Sequence, residues 1–290
     1  MGQILVNSLV VGSVYSLITI GFNFIYGPTK FFNLAHGVVV LSGGYFFLFL
    51  TRTWTLDPFA AFFIAILAAG LLGYALDRLV YCPLRRRDAS ARVLLVASLG
   101  LFTLLQSLIA VTFGRQFETF PEYTLTAKIF VWGGVTITSF QLILVGLSLI
   151  VGLGMAWFLY KTAFGRVVRA VSSDLQVAKI MGVNTDRTIG VVFFIGSVIA
   201  GVAGIMVGFD TGLGPAIGLS LLLKGIIASI IGGFGNIYGG IIGAYLLALI
   251  ENLAVWQFSG QWRDIAAFAL LIVFLIVRPY GLFTSKQDRD

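Results

Sequence analysis

The chain has 290 residues, of which 59% are hydrophobic and only 11% are charged. A typical soluble domain carries about 25% charged residues, and a water-soluble fold of this length could not bury so much apolar surface. The composition therefore excludes an ordinary soluble protein and predicts an all-α polytopic membrane protein. The formal net charge of +7 indicates basic cytoplasmic loops rather than nucleic-acid binding, because the basic residues concentrate between apolar runs.

Eight apolar segments approach or exceed the length needed to cross a bilayer, which is about 20 helical residues. The first follows a terminus without a basic region, so we predict that it stays as a span and is not cleaved as a signal peptide. We predict one transmembrane domain over residues 1–290, with apolar segments at residues 4–26, 32–50, 58–81, 93–113, 140–160, 189–209, 219–250 and 264–283.

Loop charges orient these segments, since cytoplasmic loops of membrane proteins are rich in lysine and arginine. Residues 82–92 (CPLRRRDASAR) hold four arginines and one aspartate, and residues 161–188 hold five basic and two acidic residues, so both loops are predicted to be cytoplasmic. Residues 114–126 hold one arginine and two glutamates, which suits the outside. The basic residues of the tail after residue 278 favour a cytoplasmic C-terminus.

Residues 128–138 (KIFVWGGVTIT) place a Gly-Gly pair between β-branched and aromatic residues. This arrangement is typical of two short strands joined by a tight turn. We predict a small β-hairpin on the outer side of the membrane.

The segment at residues 219–250 raises a question of parity. An inside loop at residues 161–188 and an inside tail require an even number of crossings between them, yet only three apolar segments remain. This middle segment is too long for one untilted span, and its glycines interrupt helices. We therefore predict a broken pair of helices or a re-entrant hairpin, sheltered within the protein near the transport route. Close helix packing is the alternative explanation. The glycines are Gly232, Gly233, Gly235, Gly239 and Gly240.

Asn33 and His36 lie near the start of the second apolar run. A polar group at membrane depth is costly and is a candidate for function. A capping Asn33, with His36 hydrogen-bonded to a nearby carbonyl at a helix break, explains the pair more simply. A single histidine makes neither a metal site nor a proton relay.

Lys224 lies a few residues inside the seventh run, where it either snorkels to the surface or marks the start of a broken helix. Asp210 and Glu251 each lie at the end of a run. Contact with the mouth of the pathway is one interpretation, but we favour side chains that reach the interface or pair with a loop. The candidate pathway residues are Asn33, His36, Gly37, Lys224, Gly232, Gly233, Gly235 and Asn236.

Sequence signatures of catalysis are missing. The chain has no GxxxxGK[ST] phosphate loop, no HExxH and no GxSxG motif, and its single cysteine, Cys82, excludes an internal disulfide. We therefore predict that the chain is not an enzyme and has no metal or cofactor of its own.

The loop at residues 161–188 has the pattern of an amphipathic helix. Asp174 stands at a helix start, Gly182 follows its end, and Leu175, Ala178 and residues 180–181 form an apolar stripe. By pattern alone, packing on the membrane surface is favoured over docking on a partner protein.

Three stretches resemble the permease subunits of branched-chain amino-acid ABC importers, the LivH type. Residues 165–187 (GRVVRAVSSDLQVAKIMGVNTDR) are similar to the family loop pattern Gly-Arg-x-x-Arg-Ala, polar residues, Leu-Gly or Met-Gly, Asn and Arg. Residues 21–45 (GFNFIYGPTKFFNLAHGVVVLSGGY) resemble its early Gly-Phe-x-x-Ile-Tyr-Gly and Asn-x-Ala-His-Gly. Residues 223–252 (LKGIIASIIGGFGNIYGGIIGAYLLALIEN) resemble its late Gly-Gly-x-Gly region. The three lie in order, and the resemblance extends over residues 12–282.

The resemblance implies the ABC importer permease fold and a bacterial inner-membrane protein. It also implies a second, homologous permease subunit, two cytoplasmic ATPase subunits that bind ATP and Mg²⁺, and a periplasmic substrate-binding protein. Residues 161–188 would then be a cytoplasmic coupling loop that docks on an ATPase, which reverses the preference from pattern alone. The coupling role falls on Gly165, Arg166, Arg169, Asp174, Ala178 and Gly182.

The resemblance predicts leucine, isoleucine and valine as substrates, although related permeases carry urea, amides or other amino acids. A different hypothesis is an ion-coupled secondary transporter, which needs acidic residues near the centre of the membrane. Asp77 is the nearest case, but Arg78 adjoins it and both lie close to the cytoplasmic end of their run. An intramembrane enzyme is disfavoured, because no nucleophile and base occur together.

Overall fold

The computed structural model describes residues 1–120, 128–278 and 281–283, with only the backbone of Trp132. It is a helical bundle with one small hairpin, which confirms the predicted class of polytopic α-helical membrane protein. The second glutamate of residues 114–126 and the basic tail lie outside the described residues. In chain order the elements are α1 (Gly2–Thr29), α2 (His36–Arg52), α3 (Pro58–Leu76), a π-helical turn (Asp77–Tyr81), α4 (Cys82–Arg86), α5 (Ala91–Phe113), β1 (Ile129–Trp132), β2 (Val135–Thr138), α6 (Ser139–Lys161), α7 (Ala163–Ser173), α8 (Leu175–Ile180), α9 (Thr185–Asp210), α10 (Ile217–Gly232), α11 (Ile237–Gln257) and α12 (Trp262–Val277).

The eight predicted segments correspond to nine apolar helices in the described part of the chain. Six of them are long and apolar enough to cross a bilayer. The other three, α2, α10 and α12, are shorter apolar helices of 17, 16 and 16 residues. The additional helix arises because the seventh predicted segment is divided into α10 and α11.

The bundle is organised around α1 and α9. In the most apolar 18-residue stretch of each helix, 67% of the residues are buried in α1 and 78% in α9. In α5 and in α6 only 22% are buried. Glycines let α9 approach its neighbours closely: a Cβ atom on Gly43 of α2 would lie 2.4 Å from the Cα atom of Gly201. Small residues permit such contacts between membrane helices. The outer faces of α5 and α6 are therefore left for lipid or for other subunits.

The predicted hairpin is confirmed. Strands β1 and β2 pair antiparallel, and Gly133 and Gly134 join them with φ angles of 58° and 78°. Two consecutive residues with positive φ form the type I′ turn that suits a two-residue hairpin. The hairpin packs beside the N-terminus, where the Gln3 side-chain carbonyl accepts a hydrogen bond from the backbone N–H of Thr136 (2.8 Å). We call this side of the molecule the hairpin end.

Other contacts at the hairpin end join the loops that were predicted to be external. Arg52, at the end of α2, forms an ion pair with Glu118 at 2.6 Å. The backbone N–H of Glu118 donates to the Leu213 carbonyl, in the connection between α9 and α10 (2.7 Å). Residues 114–120 therefore lie on the same side as the hairpin, as the charge pattern predicts.

The opposite side, here called the loop end, collects the segments predicted to be cytoplasmic. Arg86 Nε lies 3.0 Å from Asp186 Oδ2, which connects the arginine-rich loop to the start of α9. The Leu282 N–H donates to the Ile231 carbonyl at 2.9 Å, so residues 281–283 fold back against α10. Residues 82–92, residues 161–188 and the end of the described chain thus share one end. The N-terminus lies at the other.

The break in the segment at residues 219–250 is confirmed, and both explanations of its glycines apply. Gly233 and Gly235 have φ angles of 104° and 75° and interrupt the helix between α10 and α11. Gly232 and Gly239 instead let these helices touch, because a Cβ atom on Gly232 would lie 2.0 Å from the Gly239 carbonyl carbon. The break packs beside Gly27, near the end of α1, so it lies at the end of the bundle and not halfway along it.

A non-helical segment does enter the bundle between α1 and α2. Residues 30–35 return from the loop end, and α2 begins only at His36. The His36 ring lies beside Gly21, where a Cβ atom would be 3.1 Å from its Cε1. Gly21 is eight residues before the end of α1, which corresponds to about 12 Å along the helix axis. The second predicted span therefore starts later, and deeper in the bundle, than its apolar run suggests.

Candidate functional site

The loop predicted to have a coupling role, residues 161–188 and called the coupling loop below after that prediction, contains two helices, α7 and α8. The Asp174 carboxylate accepts hydrogen bonds from the backbone N–H groups of Gln176 (2.8 Å) and Val177 (2.9 Å) and caps α8. Gly182, with φ of 81°, follows the last turn, as the sequence predicts. The sequence predicts one short helix in this loop, whereas the loop forms two helices, which are separated by the extended backbone of Asp174.

Buried residues attach this loop to the bundle. Gly165 packs against the end of α6, where a Cβ atom would lie 2.3 Å from the Phe158 carbonyl oxygen. Val168 and Ala178 are 2% and 4% exposed. The Ser172 hydroxyl lies beside Gly27 of α1, 3.1 Å from where a Cβ atom would be. The loop therefore packs directly on α1 and α6.

The opposite face of the loop is exposed and partly apolar. Ile180 and Met181 are 84% and 78% exposed, and Val177 is 54% exposed. The predicted stripe is therefore divided: Ala178 faces the bundle, whereas Ile180 and Met181 face away from it. Arg166 is exposed, and the exposed Arg169 guanidinium stacks over the ring of Tyr160 at 4.7 Å.

Asn33 and His36 lie in the closed interior of the chain, with exposures of 3% and 0%. The Asn33 side-chain carbonyl accepts a hydrogen bond from the Tyr81 hydroxyl at 2.8 Å, and the residue before α2 is Ala35, so a capping role for Asn33 is wrong. Gly37 packs against α10, where a Cβ atom would lie 2.6 Å from the Gly218 carbonyl oxygen. The three residues join α1, α2, α10 and the π-helical turn.

The glycine break is held by a residue that the sequence analysis missed, Asn23 of α1. Its side-chain carbonyl accepts hydrogen bonds from the Ser229 hydroxyl and from the Gly235 N–H (3.1 Å), and its amide donates to the Asn236 carbonyl (3.1 Å). Asn236 itself caps α11 through the Gly239 N–H (3.0 Å). The available signal was an asparagine far inside the first apolar run, whose other asparagine, Asn7, lies near its start.

Lys224 forms an ion cluster that crosses three helices. Its ammonium group contacts the Glu251 carboxylate of α11 and lies 2.8 Å from Asp264 Oδ1 of α12. The Tyr15 hydroxyl donates to the other Glu251 oxygen at 2.8 Å. Because Lys224 is 5% exposed and Glu251 is 0% exposed, neither snorkels to the interface. The expectation for Glu251 was therefore wrong: two residues at distant positions in the sequence neutralise each other within the bundle.

Asp77 is the acidic residue on which an ion-coupled mechanism would depend. Its side chain is completely buried and lies 2.7 Å from Arg85 Nη1, one turn beyond the π-helical turn. Asp77 and Glu251 are both held by basic partners within the chain. Among the described residues, no group of three or more His, Cys, Asp or Glu side chains could hold a metal ion.

Comparison with known proteins identifies the family. Residues 4–275 match the family described as "Branched-chain amino acid transport system / permease component". The chain is 33% identical over 299 residues to the high-affinity branched-chain amino acid transport system permease protein BraD of Pseudomonas aeruginosa, covering 98% of this chain and 96% of the relative. It is 32% identical over 300 residues to LivH of Escherichia coli, with the same coverage.

A solved structure shares the fold at low sequence identity. The structure described as "PsaBC from Streptococcus pneumoniae in complex with Fab" has a TM-score of 0.50 and 15% identity and covers 96% of this chain and 92% of its own. Together with the bundle of apolar helices, these relatives identify the chain as a multi-pass inner-membrane transport subunit with an ABC importer permease fold, and not an enzyme. The chain belongs to the permease family of the branched-chain amino acid transport systems.

Proposed function

We propose that the chain translocates leucine, isoleucine and valine as one permease subunit of an ABC importer. The observation that carries this proposal is the identity of 31–33% to BraD and LivH proteins over 98% of the chain. A match over the whole length includes the bundle, the coupling loop and the glycine break together, and is not limited to one motif.

The complete importer in this proposal contains a second, homologous permease subunit and two cytoplasmic ATPase subunits, which bind ATP and Mg²⁺. A periplasmic binding protein delivers the amino acid at the hairpin end. The outer faces of α5 and α6, of which little is buried within the chain, leave room for the second permease subunit. Specificity comes largely from the binding protein, which agrees with how few charged side chains lie within the bundle.

The coupling loop provides the contact with an ATPase. Its exposed face combines Ile180 and Met181 with the basic side chains of Arg166, Arg169 and Lys179. An exposed apolar patch with a charged rim is typical of a protein–protein interface. The other face of the loop packs on α1 and α6, so movement of the ATPases reaches the central helix of the bundle through the loop.

ATP-driven uptake by the reconstituted complex tests this function. The chain is co-expressed with the second permease and the ATPases, reconstituted in proteoliposomes and supplied with the liganded binding protein. We expect uptake of radiolabelled leucine that requires ATP and survives collapse of ion gradients. Uptake driven by a proton or sodium gradient without ATP would contradict the proposal.

Replacing Arg166 and Arg169 together by alanine tests the coupling role. We expect loss of leucine uptake with normal insertion of the chain, because both side chains are exposed and the stacking of Arg169 on Tyr160 is a contact at the surface. An Arg87→Ala variant, at an exposed arginine of the other basic loop, serves as the control. Normal uptake by the double variant would refute the coupling role while leaving the substrate assignment intact.

A further inference from the structure

A cavity of about 280 Å³ opens at the hairpin end between α1, α9, α10 and α12. Its lining includes the apolar residues Val14, Val207, Ile217 and Leu221. It also includes charged groups of both signs from α9, α10 and α12: Asp210, Lys224, Arg263 and Asp264. The lining therefore combines aliphatic side chains with oppositely charged ones.

A second cavity of about 300 Å³ adjoins the first. Ser220, Lys224 and Asp264 line both cavities, so the Lys224–Asp264 ion pair stands where they meet. Small-molecule sites in proteins occupy about 300–1,000 Å³ and place a few polar groups in a mainly apolar lining. The first cavity is slightly smaller than that range and the second is at its lower limit, which suits a molecule of amino-acid size.

The charges around the first cavity are only partly neutralised. Glu251 is completely buried and is paired with Lys224, so these two charges cancel. Asp264 also contacts Lys224, but its side chain is 68% exposed and it adds a second carboxylate to one ammonium group. Arg263 is exposed beside it on the first turn of α12. The cavity thus offers the Asp264 carboxylate and the Arg263 guanidinium on adjacent residues. The Asp210 carboxylate, which also lines the cavity, accepts a hydrogen bond from the Gln141 amide at 3.0 Å.

We propose that this cavity is a subsite in the translocation route for a zwitterionic amino acid with an aliphatic side chain. Asp264 receives the α-ammonium group, Arg263 receives the α-carboxylate, and the branched side chain lies on the wall formed by Val14, Val207 and Leu221. The inference deepens the proposed function and depends on it. Burying charged side chains costs free energy. The subsite gives the buried Lys224 a role, because Lys224 holds the exposed Asp264 carboxylate at the cavity.

Weak binding is sufficient at such a subsite. A transported solute must enter each site favourably and also leave it, so a transit site is not a high-affinity site. Two charge-assisted contacts fix the orientation of the amino acid, and an apolar pocket discriminates by about 10-fold or more for each methylene group. The binding protein supplies the first selection, and the cavity supplies a second one within the membrane subunit.

Saturation-transfer-difference NMR on the intact complex tests the subsite, because this method detects weak binding. The complex is placed in nanodiscs without its binding protein and mixed with three probes: L-leucine, L-leucinamide, which lacks the carboxylate, and 4-methylpentanoic acid, which lacks the ammonium group. We expect the leucine methyl groups to show the strongest signal. Asp264→Asn should reduce the signals of leucine and leucinamide about fivefold or more and leave that of 4-methylpentanoic acid.

Arg263→Gln provides the reciprocal measurement, since both residues are exposed and neither substitution removes packing. It should reduce the signals of leucine and 4-methylpentanoic acid and leave that of leucinamide. Ser220→Phe, which fills the junction of the two cavities, should reduce all three signals. Asp57→Asn, an exposed helix cap at the same end, and Val111→Phe, on the exposed face of α5, are the matched controls and should change none.

The outcomes separate the subsite from the proposed function. An equal loss of all three signals in Asp264→Asn would indicate a structural defect and overturn the subsite. The absence of any signal from a wild-type complex that takes up leucine would also overturn it, while the proposed function would stand. A wild-type complex that binds the probes but takes up no branched-chain amino acid would support the subsite and refute the proposed function.

Discussion

The coupling loop differs from the two buried polar clusters, one around Lys224 and one around Asn23, in which side chains it exposes. In the loop, apolar Ile180 and Met181 face outward and are 84% and 78% exposed. In the bundle, charged Lys224 and Glu251 face inward and are 5% and 0% exposed. Exposed apolar residues favour an additional partner, whereas paired charges stabilise the packing of the chain itself. The comparison predicts that changes in the loop affect transport, and that changes in the clusters affect stability.

The largest effect is expected in the coupling loop. Replacing Ile180 and Met181 together by aspartate should reduce ATP-driven leucine uptake about tenfold or more, because each introduces a charge into an apolar interface. The amount of chain in the membrane and its unfolding midpoint should be unchanged, since both side chains are exposed. Gln176→Ala, at an exposed polar position of α8, is the control. Normal uptake by the double variant would contradict the prediction that changes in the loop affect transport.

A large effect on stability is expected in the ion cluster. Lys224→Met should lower the free energy of unfolding by about 3–5 kcal/mol, because it leaves the Glu251 carboxylate buried without its cation. Combining it with Glu251→Leu should recover most of the loss, since both charges are then removed. Unfolding of the purified chain in detergent, titrated with dodecyl sulfate, measures both variants. A double variant no more stable than Lys224→Met would show that the pair is not the cause.

A smaller effect is expected at the glycine break. Asn23→Leu removes three hydrogen bonds that hold Ser229, Gly235 and Asn236, and should lower the free energy of unfolding by about 1–3 kcal/mol. Asn7→Leu, at an exposed position of the same helix, should cost much less. Equal effects of the two substitutions in the same unfolding titration would mean that Asn23 does not clamp the break.

The smallest effect is expected in the hairpin, which lies apart from both regions. Gly134 has a φ angle of 78°, so Gly134→Ala should cost about 1–2 kcal/mol locally. Uptake of leucine should remain unchanged, because the hairpin packs beside the N-terminus of α1, at the end of the bundle opposite the coupling loop. Hydrogen exchange of the strand amides, compared with those of α9, checks that the loss is confined to the hairpin.

The sequence predicts those features of the site that depend on short local patterns. The cap at Asp174, the glycine at Gly182 and the Gly-Gly turn of the hairpin each depend on residues within a few positions of one another, and all three are confirmed. The direction of Ile180 and Met181 was not predictable, because an isolated apolar stripe does not reveal which part of it the bundle covers.

The sequence by itself determined the membrane class, the apolar segments, which loops share an end of the bundle and the break between α10 and α11, because composition, loop charge and glycine density act locally along the chain. Only the tertiary structure decided which glycines break a helix and which let two helices touch, and that Lys224, Glu251 and Asp264 form one cluster. These outcomes depend on pairing between residues as far as 40 positions apart in a packed bundle, and the free energy of a buried charge depends on the partner that packing brings to it.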